Sequence, residues 1–361
     1  MRALDRKLLR DLWDVKEQAF AIALVIGCGV ATFVMALSTL NSLQLTQQTY
    51  YDRYRFAHVF ARVKRAPQSL VARIAEIPGV GNVETRVVQD VTLDVEGMSE
   101  PAVGRLISIP ESAEPALNAL YLRRGRMIEP GHGDEVLVSE GFAQVHQLNP
   151  GDKIAAIING RKKFLKIVGI ALSPEYIFQI GTGDLFPDDR RFAVFWMGRI
   201  PLEAAFDMDG AFNDVTLSLM PNASEKEVIR RLDQLTDPYG AIGAYGREDQ
   251  VSHRFVSDEI KQLRTMGILG PSIFLSVAAF LLNVVLARII STQREQIAVL
   301  KAFGYTNVAV GVHFLKMVLI ISLLGALVGT GFGAWLGHGL TGLYTRFYRF
   351  PYCSFIWDRK W

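Results

Sequence analysis

The sequence predicts an α-helical membrane protein with three transmembrane helices and a large external α+β domain that contains a mostly-β insertion. Half of the residues are hydrophobic, and only 21% are charged. The apolar residues are concentrated in three charge-free blocks, whereas the sequence between the first two blocks resembles an ordinary globular domain. This distribution excludes a purely soluble enzyme, and it also excludes a protein that lies mostly within a membrane.

Each of the three blocks is long enough to cross a bilayer. A hydrocarbon core of ~30 Å requires about 20 helical residues, and one Lys or Arg at mid-span costs about 2.5–3.5 kcal/mol. The charge-free blocks are residues 18–51, 265–287 and 317–345. From them we predict transmembrane helices at residues 18–45, 265–288 and 309–340. The first block is too long for the core of a cleaved signal peptide, which favours a retained anchor.

The charges that flank the blocks predict the orientation. Residues 1–17 combine basic side chains with an apolar face at helical spacing, which is typical of an amphipathic helix on a membrane surface. Under the positive-inside rule, this segment and the loop at 289–308 are cytoplasmic. The region 46–264 is then external, and residues 341–361 form an external tail.

The ends of the external region carry two similar patterns of the βαβ type. Each pattern has a strand, then an amphipathic helix, then further strand-like sequence; the first comprises 57–63, 68–77 and 83–95, and the second comprises 214–219, 224–235 and 241–245. These patterns predict a split α+β domain, in which residues from about 101 to 213 form a mostly-β insertion. Within the insertion, Asn159-Gly160 predicts a type I′ hairpin turn.

The residues ahead of the second block predict a stalk. The stretch 251–263 is amphipathic, and no Gly or Pro interrupts it before Gly267. This pattern predicts one helix that continues from the domain into the membrane. The first block similarly extends past Leu43. Paired stalks of this kind could transmit movement across the bilayer. The alternative is that both stretches only pack against the foot of the domain.

The motifs of common active sites are absent from the sequence. There is no G-x-x-x-x-G-K-[ST] motif, no H-E-x-x-H and no G-x-S-x-G, and the two cysteines form no metal motif. Glu175 could be considered as a catalytic acid, but it lacks a paired base. The sequence also has no basic run with interleaved aromatic residues, which would indicate nucleic-acid binding. We therefore expect no catalytic residue, no metal site, no cofactor bound by this chain and no nucleic-acid partner.

The loop at 289–308 carries the most specific pattern. Thr292 followed by Glu295 predicts a capping box, and Gly304 stands where a C-terminal helix cap is expected. A short helix of about three turns between two spans is a surface that an intracellular partner could bind. The candidate contact residues are Arg294, Glu295, Ile297, Leu300, Lys301 and Gly304. The alternative is an ordinary interhelical loop.

Four glycines recur at intervals of four residues in the third block, namely Gly325, Gly329, Gly333 and Gly337. Small residues at this spacing form a groove that a second helix can approach closely. The alternative is the general enrichment of glycine in membrane helices. We expect these four residues to form a helix-packing face.

The string QREQIAVLKAFG at residues 293–304 resembles the QRxxIAxLKAxG signature of FtsX/MacB-like permeases of ABC transporters. The order of the segments and the sequences at 136–140 and 150–152 are similar to the same family. The resemblance implies a permease subunit in the bacterial cytoplasmic (inner) membrane, whose loop is the coupling helix that docks on a separate ABC ATPase subunit. ATP is then bound by that partner. A second permease copy or half, a periplasmic adaptor protein and membrane lipid are the other partners that the resemblance implies.

The sequence also differs from the family pattern in its number of spans. Such permeases have four spans in each unit, and a fourth span is missing after residues 351–352. We expect a truncated or frameshifted product, or the first half of a larger duplicated permease. The resemblance implies that the subunit serves the export or extraction of a lipid, lipoprotein or drug-like substrate. A membrane-anchored extracytoplasmic ligand-binding or sensor protein is the alternative, and an anchored enzyme is disfavoured by the missing site.

Overall fold

The computed structural model describes residues 3–98, 100–181, 183 and 186–352. Its helices are α1 Ala3–Asp14, α2 Lys16–Arg53, α3 Leu70–Ala75, α4 Glu140–Val145, α5 Arg199–Ala205, α6 Glu225–Thr236, α7 Val251–Thr292, α8 Arg294–Ala302 and α9 Asn307–Phe347. Its strands are β1 Val59–Pro67, β2 Val80–Arg86, β3 Val88–Asp94, β4 Ala102–Ile109, β5 Tyr121–Gly125, β6 Glu135–Ser139, β7 Lys153–Ile158, β8 Arg161–Leu172, β9 Phe192–Gly198, β10 Ala211–Leu219 and β11 Tyr245–Gly246.

These elements form two compact units. The helical unit contains the chain up to Leu45 and the segment Glu259–Tyr344, and the β-rich unit contains Thr46–Asp258 and Thr345–Tyr352. Three described helices are long and apolar enough to cross a membrane, namely α2, α7 and α9. The predicted fold class, three membrane helices with a large β-rich domain, is therefore confirmed.

The long helices exceed the predicted spans at their ends. The helix α7 begins at Val251 and passes Gly267 and Pro271 without a break, which confirms the continuous helix that we predicted ahead of the second block. The helix α2 likewise continues to Arg53. The helix α9 extends to Phe347, so the first part of the predicted tail at 341–361 is helical. The rest of that tail, residues 353–361, lies outside the described residues.

The smaller sheet of the β-rich unit is a split βαβ arrangement. Its strand order is β11-β1-β10-β2, and β1 pairs antiparallel with β10 and with β11. Each crossover helix therefore joins two strands that flank a third, as the two sequence patterns predicted. Its core includes Leu70 and Ile74 of α3 and Val228 and Leu232 of α6. The last strand is shorter than predicted, because only Tyr245 and Gly246 pair with β1.

The larger sheet has seven strands in the order β5-β8-β6-β9-β4-β3-β7, and an additional pairing of β7 with β8 closes it on itself. This sheet begins with β3 at Val88, ahead of the predicted insertion boundary near residue 101, because β3 pairs along its length with β4. The turn between β7 and β8 has positive φ at Asn159 (48°) and Gly160 (73°), which confirms the type I′ turn.

A buried ion cluster joins the two sheets. The Arg86 guanidinium at the end of β2 lies 2.6 Å from Asp214 Oδ1 and 2.6 Å from Glu175 Oε2. Glu175 follows β8 and also accepts a hydrogen bond from Asn118 Nδ2. Burial alone would lower the pKa of Arg86, but the two carboxylates raise it well above its ordinary value. Glu175 is therefore the partner of a buried cation, and its surroundings assign it a structural role.

The segment Thr345–Tyr352 belongs to the β-rich unit and contacts its other residues. Arg349 pairs with Asp189 at 2.7 Å and donates to Gln144 Oε1 at 2.9 Å. Arg123 of β5 donates to the carbonyl oxygens of Phe350 and Pro351 at 3.1 and 2.8 Å. Residues 349–351 of the predicted tail are therefore held within the β-rich unit by contacts of two arginines.

Candidate functional site

The candidate docking helix α8 begins immediately after α7. Only Gln293 separates the two helices, and its backbone (φ −95°, ψ 18°) leaves the helical region. The predicted capping box is wrong: Gln293 is the N-cap residue, and it makes no side-chain cap hydrogen bond. Because α7 continues through Thr292, the hydroxyl of Thr292 donates to the carbonyl oxygen of Arg288 (2.9 Å) and cannot cap α8.

The C-terminal end of α8 is capped as the sequence predicted. Gly304 adopts a left-handed φ of 89°, which a residue with a Cβ atom rarely adopts. Its N–H donates to the carbonyl of Lys301 at 3.0 Å, and the N–H of Tyr305 donates to the carbonyl of Leu300 at 3.2 Å. This pair of bonds is a Schellman motif, which stops α8 and turns the chain toward α9.

The residues of α8 divide between two faces. Of the six candidate contact residues, Arg294, Glu295, Lys301 and Gly304 are exposed, whereas Ile297 and Leu300 are half-buried. Ile297 packs against the apolar core of the helical unit. The structure therefore presents the charged candidates outward and uses Ile297 to seat the helix.

Two apolar side chains on the outward face were not predicted. Val299 is 54% exposed, and Phe303 is 80% exposed. They lie four residues apart, so they share one side of the helix end with Glu295. Large apolar side chains that are exposed beside charges are typical of a protein-binding surface. The i, i+4 spacing of Glu295, Val299 and Phe303 is the sequence signal that could have revealed this face, which we call the α8 docking face.

A buried polar cluster fixes the start of α8 to two other helices. Asp11 of α1 accepts hydrogen bonds from Lys7 Nζ (2.8 and 2.9 Å), Gln293 Nε2 (3.2 Å) and His313 Nε2 of α9 (2.9 Å). Lys7 Nζ also donates to Gln293 Oε1 at 3.0 Å. We call these four residues the Asp11 cluster. Sequence reasoning used Lys7 only as a positive charge and did not identify the other three.

The electrostatics of the cluster favour an ionised carboxylate at Asp11. Only 4% of this residue is exposed. Burial alone would raise the pKa of its carboxyl, but the hydrogen bonds from Lys7, His313 and Gln293, together with the charge of Lys7, lower the pKa below its ordinary value. The charge is therefore retained because its partners compensate for the lost water.

The glycine row of α9 lies against α2. A Cβ atom at Gly325 would be 2.6 Å from the carbonyl oxygen of Ala23, and one at Gly333 would be 2.6 Å from that of Ala31. At Gly329 the distance to the carbonyl oxygen of Gly27 would be 2.5 Å. Gly337 is buried as well. The close approach of the two backbones therefore requires glycine at three of these positions.

One group of possible metal ligands occurs among the described residues, formed by Glu129, His132 and Glu135. Arg126 already donates to Glu135 through both terminal nitrogens and pairs with Glu129 at 3.4 Å. These bonds lower the pKa of Glu135. The arrangement is therefore an ion-pair cluster that is satisfied by arginine.

A comparison with protein families gives a match in the last third of the given sequence. Residues 268–357 match the sequence model described as the FtsX-like permease C-terminal domain. The chain contains an FtsX-like permease domain. This match confirms the resemblance drawn from residues 293–304, which lie inside it. The FtsX-like domain includes the second half of α7, all of α8 and α9.

Among curated proteins, an uncharacterized ABC transporter permease protein of Mycobacterium tuberculosis (strain ATCC 25618 / H37Rv) is 24% identical over 216 residues. A shorter stretch of 83 residues is 34% identical to the UvrABC system protein C of Gemmatimonas aurantiaca. These matches include 58% and 22% of this chain. They span only 23% and 14% of the length of the two relatives.

Among solved structures, the periplasmic region of MacB from Actinobacillus actinomycetemcomitans is similar to 57% of this chain. The similarity covers 92% of that chain, with 12% identity and a TM-score of 0.35. The similarity to FtsX-like permeases is therefore established for residues 268–357.

Proposed function

We propose that this chain is the permease subunit of an ABC transporter, and that α8 is its coupling helix. The observation that carries the proposal is the α8 docking face. Val299 and Phe303 are exposed beside Arg294, Glu295 and Lys301 on a short capped helix between two candidate membrane helices. Burial of these apolar side chains against a protein partner lowers the free energy of the complex. The partner that fits the family is a separate ABC ATPase subunit, which binds the ATP.

In this proposal, the chain lies in the cytoplasmic membrane of a bacterium with α1 and α8 on the cytoplasmic side and the β-rich unit outside. The basic residues of α1 and of the α7–α9 loop support that orientation under the positive-inside rule. ATP binding on the partner moves α8, and the continuous helices α7 and α9 carry the movement by mechanotransmission. A lipid, lipoprotein or drug-like substrate is exported or extracted, and a second permease copy or half completes the assembly.

The test is retention of the ATPase during purification of the tagged full chain from its native membranes. Phe303→Asp places a charge on the α8 docking face, and Glu295→Arg reverses a charge on the same helix. The matched control is Ile242→Asp, because Ile242 is 78% exposed and lies in the β-rich unit. We expect the first two variants to lose the ATPase at least tenfold, since a buried interface charge without a partner costs ~2–5 kcal/mol.

Equal retention in all three variants would contradict a docking role for α8. If no variant, nor the unmodified chain, retains an ATPase, the membrane-anchored ligand-binding or sensor protein becomes the favoured function. In that case a ligand of the β-rich unit would be sought instead.

A further inference from the structure

We propose that the surface helix α1 positions the coupling helix α8. In this proposal Asp11 is the positioning residue that holds the start of α8 against α1 and α9. The functional role of this positioning rests on the proposed function, because α8 is the helix proposed to bind the ATPase. The contacts that support it lie wholly within the helical unit.

The first argument is the position of Gln293. This residue alone separates α7 from α8, and its backbone has left the helical region. No side-chain cap fixes the first turn of α8. The contacts of the Gln293 side chain therefore contribute to the direction of α8 at this junction. It binds both the carboxylate of Asp11 and the ammonium group of Lys7, at 3.2 and 3.0 Å.

The second argument is the composition of the Asp11 cluster. A buried carboxylate is stable only when its partners remain in place, because removing one partner leaves the charge poorly compensated. Asp11 takes its partners from three separate parts of the chain: Lys7 from its own helix, Gln293 from the α7–α8 junction and His313 from α9. Displacing the start of α8 from α1 would therefore break the cluster rather than strain it gradually.

The third argument is that apolar contacts reinforce the same geometry. Ile297, one turn after Gln293, packs against a buried cluster that contains Leu8 of α1 and Phe314 of α9. These residues lie one turn or less from Asp11 and His313, respectively. The start of α8 thus has a polar contact with α1 and α9 through the Asp11 cluster, and an apolar contact with a cluster that includes residues of the same two helices.

The experiment is hydrogen exchange of the full chain in lipid nanodiscs without any ATPase, with Asp11→Asn as the main variant. Asn keeps the shape of the side chain but loses the charge. The matched control is Asp14→Asn, which makes the same change at an exposed position of the same helix. We expect protection of the amides at 294–302 to fall roughly tenfold in Asp11→Asn, in line with the loss of a charge-assisted hydrogen bond. Asp14→Asn should leave it unchanged.

A rescue variant separates positioning from general stability. Asp11→Asn combined with Gln293→Glu keeps one carboxylate and one amide in the cluster with their places exchanged, so that Lys7 still has an acidic partner. Recovery of protection at 294–302 in this double variant supports the proposal. Gln293→Ala provides a second route if Asp11→Asn does not fold, and it should loosen the same amides.

Two results would overturn the inference. One is equal exchange of residues 294–302 in Asp11→Asn and Asp14→Asn, and the other is loosening in Asp11→Asn that the double variant does not reverse. Because the chain is measured alone, either failure is distinguishable from the failure of the proposed function, which is read from ATPase retention by Phe303→Asp.

Discussion

The closest approach between α2 and α9 provides a sharp prediction about the helical unit. Replacing Gly329 by Ala would bring the new Cβ atom to 2.5 Å from the carbonyl oxygen of Gly27 and 2.9 Å from Cβ of Val30. The nearest atom belongs to the backbone, so no side-chain rotation relieves the clash and the helices must move apart. Overpacking of this kind costs about 1–3 kcal/mol. The matched control is Gly331→Ala, whose Cβ would meet nothing within 4 Å.

The two variants make the same chemical change two residues apart in one helix. Both gain the helix propensity of Ala, which is about 1 kcal/mol better than Gly, so their difference isolates the clash. We expect the free energy of unfolding of Gly329→Ala to lie about 1–3 kcal/mol below that of Gly331→Ala. The assay is SDS-induced unfolding of the full chain in mixed micelles, followed by far-UV circular dichroism. Equal unfolding midpoints for the two variants would refute the close packing of α2 and α9.

Three further predictions concern single side chains. Burial and the nearby Arg247 lower the pKa of His58 from 6.5 to about 4, so the neutral ring stabilises the fold fully above pH 6.5 and this contribution is lost as the pH falls toward 4. After allowance for solvent screening, the contribution of neutral His58 to the free energy of unfolding is about 1–2 kcal/mol. In thermal melts, the melting temperature of His58→Gln should therefore fall less steeply with decreasing pH than that of the unmodified chain. Glu175→Leu leaves buried Arg86 with fewer partners, so it should lower the unfolding free energy by about 3–5 kcal/mol in urea titrations, whereas a loss below about 1 kcal/mol would contradict the buried cluster. Gly304→Ala forces a Cβ atom into the left-handed region at a cost of about 1–2 kcal/mol, and hydrogen exchange at 300–305 should rise while exchange in the β-rich unit stays constant.

The main features of the fold could be predicted because they depend on local patterns. Exclusion of charge identified the three membrane helices, and turn chemistry identified Asn159-Gly160. The closure of the larger sheet could not be predicted, because it depends on pairings between distant strands such as Thr92 with Ile157. The assignment of β3 to that sheet depends on the same long-range pairing. Periodicity shows that a segment is a strand, but it does not show which strand is its neighbour.

The candidate site was predictable to a similar extent. The loop could be recognised from its composition and from Gly304, since a left-handed cap is a local requirement. The capping box at Thr292 was wrong because α7 continues through it, and helix length depends on packing as well as on capping residues. The Asp11 cluster could not be predicted from the sequence, because Asp11 and His313 are 302 residues apart. The exposure of Phe303 depends on which face of α8 packs against the core, and the packing of Ile297 in the fold determines that face.

The central claim, that α8 is the docking surface for an ABC ATPase, is tested most directly by photo-crosslinking from position 303. A photoreactive phenylalanine analogue at Phe303 probes the α8 docking face, and the same analogue at Phe164 probes an exposed position of the β-rich unit. After irradiation in native membranes, the crosslinked protein is identified by mass spectrometry. The account predicts a protein with nucleotide-binding motifs of the ABC class at position 303 and none at position 164. Crosslinks at position 303 to lipid alone, or the same products at both positions, would contradict it.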